Sequence, residues 1–437
     1  MRLVEKARQT WLAAQYLLRM RRGRAAVLAH LRSPGSQAVP MPTFVQLRLT
    51  NLCNLRCRMC GQWGDTGIYR GPSAGLIPPS GDAGRLREVL GLERQLSLEE
   101  YRRLLDDLTP FDPIVSLFGG EPLLYRDVVP LAREVKRRRL TLTMITNGSL
   151  LARYADELVE AGIDSIAVSF DGHPGLHDRI RGQEGSFERA AEGVRAVARA
   201  RARRWRARPV LLAIFPITEL NGDEVEETMA ALRELPLDAV NVGLRWFVPT
   251  AAGHAYETVM REEFAVEAPS WKGFEFSWSG EKEGSPHLGR LVRQLKSLKR
   301  RRVFDFIRQR PWVTFVPDVP ATQVPAYLTD HSKTLGHDLC PVAWYFAQVQ
   351  PDGDVVFCGD FPDYVIGNVR RQPFHDIWRG PRAVAFRARL ARQPLPICSR
   401  CCGSFVYGRW SREGLAAPAA DTVSSPKPTR AWSLHTR

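Results

Sequence analysis

Between residues 43 and 250 short apolar runs alternate with stretches in which apolar residues recur every three or four positions. The runs fall at Val45 to Leu49, Ile114 to Phe118, Leu140 to Ile145, Ser165 to Phe170, Val210 to Ile217 and Ala239 to Leu244. Their length and largely unbroken apolar character predict strands. The intervening period predicts helices over Leu98 to Leu108, Asp127 to Arg138, Leu151 to Ala161, Phe187 to Arg204 and Asp223 to Leu235. Ser97 with Glu100 reads as a capping box that opens the first helix, and Gly162 stops the third.

Six strand–helix repeats imply a parallel sheet with right-handed crossovers, short of the eight that close a complete barrel. The expected fold class is therefore α/β, a partial (β/α)6 TIM-like barrel followed by a small cysteine-rich C-terminal domain. Function in such a sheet sits at the C-terminal ends of the strands. The organisation expected is a basic N-terminal helix and linker over 1–42 and the barrel core over 43–250. A connecting region over 251–335, the cysteine-rich domain over 336–410 and a disordered tail over 411–437 complete it. In the connecting region only a basic helix, Leu288 to Ile307, and a strand, Trp312 to Val316, can be placed. Few regular elements are expected in the cysteine-rich domain, as in small domains stapled by metal.

Leu3, Ala7, Trp11, Ala14 and Leu18 would share one face of a basic helix. That face either docks on the body of the protein or makes a peripheral membrane contact through residues 1–34. No run approaches the eighteen apolar residues of a membrane-spanning helix, and no secretory signal opens the chain, which reads as cytoplasmic. The net charge of +15 gathers at Arg137 to Arg139, Arg199 to Arg208 and Arg300 to Arg302. These are read as solvated helix faces rather than a nucleic-acid platform, which would interleave aromatic residues.

All eight cysteines lie in two groups: Cys53, Cys57 and Cys60, then Cys340, Cys358, Cys398, Cys401 and Cys402. In a reducing compartment such clustering argues for metal ligation rather than disulfides. The front three, spaced three and then two residues apart after the first strand, can converge from one loop on one centre. A four-iron cluster usually takes four cysteines, so three leave one iron open to a reactant. A three-cysteine zinc site is the alternative.

The sequence Cys53-Asn54-Leu55-Arg56-Cys57-Arg58-Met59-Cys60 resembles the hallmark motif of the radical S-adenosylmethionine (SAM) superfamily. The resemblance implies a [4Fe-4S] cluster on Cys53, Cys57 and Cys60 whose open iron chelates SAM. Reductive cleavage then yields a 5′-deoxyadenosyl radical that abstracts a substrate hydrogen. Gly119-Gly120-Glu121-Pro122, at the end of the second strand, resembles the segment that holds the cofactor's amino group, with Glu121 its charged member. Asn147, Ser169 and Asp171 follow the next strands and resemble positions near the ribose and carboxylate, and Arg181 would pair with that carboxylate. Met59 stands where the family usually places an aromatic residue against adenine, and Trp63 is a substitute contact.

The rear cysteines, with Pro351-Asp352-Gly353-Asp354, Ile366-Gly367-Asn368 and Trp378, resemble a SPASM domain or its shorter twitch relative. The Asp352-Gly353 pair would turn a hairpin that returns Cys358 towards Cys340. One auxiliary [4Fe-4S] cluster on Cys340, Cys358, Cys398 and Cys401 is expected. Cys402 either replaces Cys401, is inert or donates a hydrogen atom. A four-cysteine zinc ribbon is the alternative here. By this resemblance the enzyme modifies a ribosomally made peptide, with dehydrogenation or epimerisation of a sugar-like or other small metabolite as competitor. Flavodoxin or ferredoxin would donate electrons. A non-catalytic zinc scaffold with RNA affinity is the reading from another class.

Overall fold

The computed structural model describes residues 18–33, 38–69, 90–276, 285–307 and 311–401, with 403, 410, 411 and 415. Its strands are β1 (Phe44–Arg48), β2 (Ile114–Phe118), β3 (Thr141–Thr146), β4 (Ser165–Ser169), β5 (Val210–Ile217), β6 (Ala239–Leu244), β7 (Trp312–Val316), β8 (Phe346–Val349), β9 (Asp354–Val356) and β10 (Val365–Asn368). Among the described residues they form one ten-stranded sheet in the order β10-β9-β8-β1-β2-β3-β4-β5-β6-β7. Strands β1 to β7 pair in parallel with their sequence neighbours, and β8 adds in parallel to the free edge of β1. The hairpin β8–β9 turns at Asp352-Gly353, with Gly353 at φ 91°, a left-handed value that glycine adopts freely.

The six expected strands are all present, and the sheet is wider than expected. β7 and β8 lie beyond long polar connections, so no periodic strand–helix unit announces that they join the same sheet. The boundary expected near residue 336 thus divides the chain but not the sheet. The rear segment is also more regular than a metal-stapled domain requires, with helices Phe374–Arg379 and Pro381–Arg392. Phe357, Trp378 and Phe386 carry these helices into the main core.

Alternation along the strands decides what each face does. Leu142 and Met144 of β3, Ile166 and Val168 of β4, and Leu211, Ala213 and Phe215 of β5 are fully buried in one core with helical residues such as Leu104, Leu131, Ala155 and Val194. The intervening residues, Thr143, Ile145, Ala167, Ser169, Leu212 and Ile214, stay only half-buried. Register pairs Ile145 with Ala167, Ala167 with Leu212 and Ser169 with Ile214, so these side chains share one continuous inner face. Across β1, β2 and β8 that face is closed and polar: Gln46, Arg48, Ser116 and Gln348 are all buried, and Gln348 Nε2 donates to Gln46 Oε1 at 2.5 Å.

The helix over residues 18–32 docks on the body, with Val27 in the core and Arg24 4.4 Å from the Trp410 ring centre. Leu3, Ala7, Trp11 and Ala14 lie outside the described residues, as do 416–437. The Arg199–Arg208 stretch is largely paired rather than simply solvated: Arg201 with Asp238, Arg203 and Arg204 with Asp156, Arg208 with Asp164. It does hold one aromatic residue, Trp205, which is 75 % exposed. No helix among the described residues is long and apolar enough to cross a membrane.

Candidate active site

Cys53, Cys57 and Cys60 lie on the loop that leaves the C-terminal end of β1. The loop is held by the chain beyond β2. Gly120 N donates to Thr50 O at 2.8 Å and Glu121 N to Leu52 O at 2.7 Å. A Cβ on Gly119 would stand 2.5 Å from Thr50 O, and one on Gly120 2.1 Å from Leu52 O. The paired glycines therefore allow a close backbone approach to the entry of the cysteine loop. Pro122 is buried and opens the short turn Pro122–Leu124.

Glu121 is wholly buried. Its carboxylate accepts from Thr146 Oγ1 at 2.7 Å, Asn147 N at 2.8 Å and Leu123 N at 3.1 Å. Burial pushes its pKa up, and these three donors oppose the rise. Glu121, the charged member of the segment expected to hold the cofactor's amino group, is engaged by protein donors that tie the ends of β2 and β3 together. Asn147 is thereby fixed. Its Nδ2 donates to Asn54 Oδ1 at 2.9 Å and stands 3.9 Å from Cys53 Sγ, while its Oδ1 accepts from Ser149 N at 2.9 Å. Asn54 and Ser149, joined by a 2.9 Å bond, complete this latch and went unread in the sequence. Their only signal is the Asn-Gly-Ser turn, common to many loops.

Asp171 and Arg181 form a buried ion pair, Asp171 Oδ2 against Arg181 Nε. Burial raises the Asp171 pKa and Arg181 opposes the rise. Burial pulls Arg181 down, but Asp171 and then the Cys57 and Cys53 sulfurs outweigh it, so Arg181 is held above its ordinary range. Asp171 N donates to His177 Nδ1 at 3.2 Å, and Arg58 N donates to Ile180 O at 2.9 Å, which seats the helix Pro174–Arg181 on the cysteine loop. Ser169 ends β4 half-buried, and Met59 is half-buried on the loop. Trp63, expected as a substitute adenine contact, belongs to a small packed cluster against which Cys53 and Cys60 lie. It is buried with Tyr69 and Leu90, donates from Nε1 to Asn51 O at 3.0 Å and lies under Arg56 at 4.1 Å.

The donor set fits a cluster with an open iron: three sulfurs from one loop, mutually coupled, beside one buried cation. Burial pushes the Cys53 thiol up to about 11 and Cys57 to about 12, with Arg181 opposing in both. Metal loading must therefore displace protons, which ties cluster assembly to pH. Among the described residues no three His, Cys, Asp or Glu side chains are gathered to hold a single metal ion. In a four-iron cluster each thiolate bonds a different iron, a wider arrangement than one ion demands.

At the rear, Cys340 and Cys398 are buried and Cys358 and Cys401 half-buried. Burial raises Cys358, and Cys340, Cys401, Asp363 and Asp360 raise it further. A hydrogen bond to Cys340 is the largest cause that raises Cys398, followed by burial and the other two thiols. The four expected ligands thus converge from β8's approach, the β9 exit and the turn Cys398–Arg400. Cys402 lies outside the described residues.

Residues 47–232 match the family model for the Radical SAM superfamily, and residues 340–402 match SPASM, an iron–sulfur cluster-binding domain. The pre-heme d1 synthase of Dinoroseobacter shibae is 27% identical over 369 residues, a match covering 84% of this chain and 80% of that protein. The AdoMet-dependent heme synthase of Methanosarcina barkeri is 26% identical over 369 residues, covering 82% and 87%. Streptococcus suis SuiB bound to S-adenosylmethionine is similar in fold, with a TM-score of 0.50 at 14% identity over 80% of this chain and 68% of that one.

Proposed function

Because the chain belongs to the radical SAM superfamily and carries a SPASM domain, we propose that it abstracts hydrogen from a small metabolite held on the half-buried inner face of the sheet. One observation carries the site assignment: Cys53, Cys57 and Cys60 meet Asn147, Asp171 and Arg181, delivered by β3 and β4, at the C-terminal end of the sheet. Bound there, a [4Fe-4S] cluster and SAM supply reductive cleavage of the sulfonium and a radical able to attack an unactivated carbon.

The protein's own residues hold and shield. Glu121 fixes Asn147 beside Cys53, Arg181 offsets the charge of the thiolates, and the loop over Trp63 and Tyr69 closes one side to water. Thr143, Ala167, Ser169, Leu212, Ile214 and Asn241 offer a half-buried surface of uncharged polar and apolar groups on the inner face of the sheet. Met59 and the backbone of Gly119 and Gly120 are the remaining groups assigned to SAM. The rear cysteines hold the auxiliary cluster, and an electron donor of the flavodoxin or ferredoxin kind serves the front one.

The small-metabolite reading is preferred over the peptide because two relatives matched over at least four-fifths of their own length are named for haem synthesis. Behind the peptide stands a likeness of fold, SuiB with its precursor peptide SuiA at 13% identity.

Anaerobic protein reduced by dithionite should release 5′-deoxyadenosine from SAM. Cys53→Ala, Cys57→Ala and Cys60→Ala should each abolish the release, and activity retained in any of them refutes the assignment. The rate should rise with the dialysable fraction of a cell extract. A rise confined to the peptide-containing retentate would favour the peptide.

A further inference from the structure

The segment Pro269–Phe274 reaches from one cysteine group to the other. At its far end it presses on Gly61, the residue after Cys60. A Cβ on Gly273 would stand 2.1 Å from Gly61 O, and one on Gly61 2.4 Å from Phe274 Cζ. Thr66 Oγ1, on the same loop, donates to Gly273 O at 3.3 Å. At its near end, Ser270 N donates to Asp363 Oδ1 at 3.2 Å and Ser270 Oγ donates to Asp363 Oδ2. Tyr256 OH donates to the same carboxylate at 3.0 Å from the helix Thr250–Phe264. Asp363 lies five residues past Cys358, on the loop that leaves β9, and its charge acts on that thiol. Phe361, between them, packs against both Phe274, with ring centres 5.3 Å apart, and Tyr256, at 6.4 Å.

We propose that Asp363 is a positioning residue that ties the rear cysteine loop to the front one, through Ser270 and the strap that ends on Gly61. Three donors on one half-buried carboxylate fix it from two elements, while Phe274 transmits its place to the residue beside Cys60. A carboxylate so satisfied is costly to disturb, and this one joins loops that the chain separates by about three hundred residues. The strap is also tied to the end of β6, where Val248 N donates to Phe274 O at 2.9 Å and Phe276 N to Val248 O at 3.1 Å. Both cysteine loops are therefore referred to the same rigid sheet.

The inference rests on the two cysteine groups being cluster ligands, and its failure is distinguishable from theirs. Iron-free protein would sink the ligand assignment, whereas the strap is tested on protein with full iron at both sites. The experiment is a SAM titration of the reduced holoenzyme followed by electron paramagnetic resonance of the front cluster. Asp363→Asn should keep its iron yet weaken SAM binding about tenfold, the size of one lost hydrogen bond to a charged group. Ser270→Ala, which alters only the strap's side of the link, should move the front spectrum in the same direction and leave the rear potential unchanged. It also serves where Asp363→Asn fails to fold. Glu263→Gln is the control, since it loosens another tie between the helix Thr250–Phe264 and the rear segment, that with Arg389 and Arg392. A front spectrum and SAM affinity unchanged in Ser270→Ala, or changed equally in Glu263→Gln, overturns the proposal.

Discussion

Asp171 and Arg181 are each at least nine-tenths buried, a depth at which an unpaired charge costs several kcal/mol. Their position is held in turn by His177, wholly buried against Phe170 and Phe187, whose Nδ1 accepts from Asp171 N. The imidazole must then be neutral. Burial, reinforced by Arg181, lowers its pKa to about 3. The unfolded chain binds that proton near pH 6.5 while the folded chain refuses it, so this contribution is complete above pH 6.5 and is lost as pH falls towards 3. At pH 5 the loss is about 2 kcal/mol, from about 1.5 units at about 1.4 kcal/mol each. Chemical denaturation at pH 7 and pH 5 should show that difference in the wild type and a smaller one in His177→Gln. Equal differences would show that His177 does not titrate as argued. At this scale the sequence was legible where residues are near neighbours in the chain, as with the three front cysteines, which share one loop after β1. It was not where partners come from other strands: Glu121 finds Thr146 and Asn147 twenty-five and twenty-six residues away, and no spacing rule announces that.

Helices with strong local signals were legible to within a residue or two. Leu98–Leu108 has the expected limits and the reciprocal capping box at Ser97 and Glu100, and Leu151–Ala161 ends at Gly162 with φ 85°. The box reaches beyond its helix, because Glu100 also pairs with Arg370, past β10, at 2.6 Å. That bond is the largest cause holding Glu100 down at about 2. Ser97→Ala should therefore cost about 1 kcal/mol of stability, the usual value of an N-cap, measurable as a lower denaturation midpoint with unchanged slope. No change would mean that Arg370 alone holds Glu100. The helices that went unread have weaker patterns. Thr250–Phe264 buries only Gly253, Tyr256 and Met260. Pro174–Arg181 and Pro381–Arg392 do carry a signal, proline in the first turn, but each begins within two residues of a glycine that reads equally well as a turn.

At the scale of the molecule, the strand that launches the front cysteine loop is also the strand on which the rear segment is built. β1 is flanked by β2 on one side and β8 on the other, 302 residues away between Gln46 and Gln348. Without β8, β1 would present a bare row of backbone donors and acceptors, and its buried inner residues Gln46 and Arg48 would lose cover. The alternation of strands and helices predicted a partial barrel ending near residue 250. It could not show this closure, since a parallel pair between distant segments leaves no local mark beyond a short apolar run. A chain cut after residue 335 should consequently be insoluble or recover no front cluster on anaerobic reconstitution, although Cys53, Cys57 and Cys60 are all retained. Supplying residues 336–437 as a separate chain during refolding should restore iron at the front site in proportion to the complex formed. A soluble fragment 1–335 that takes up four irons by itself and cleaves SAM would show that β8 is an addition to a barrel already complete, and that the two cysteine groups fold independently.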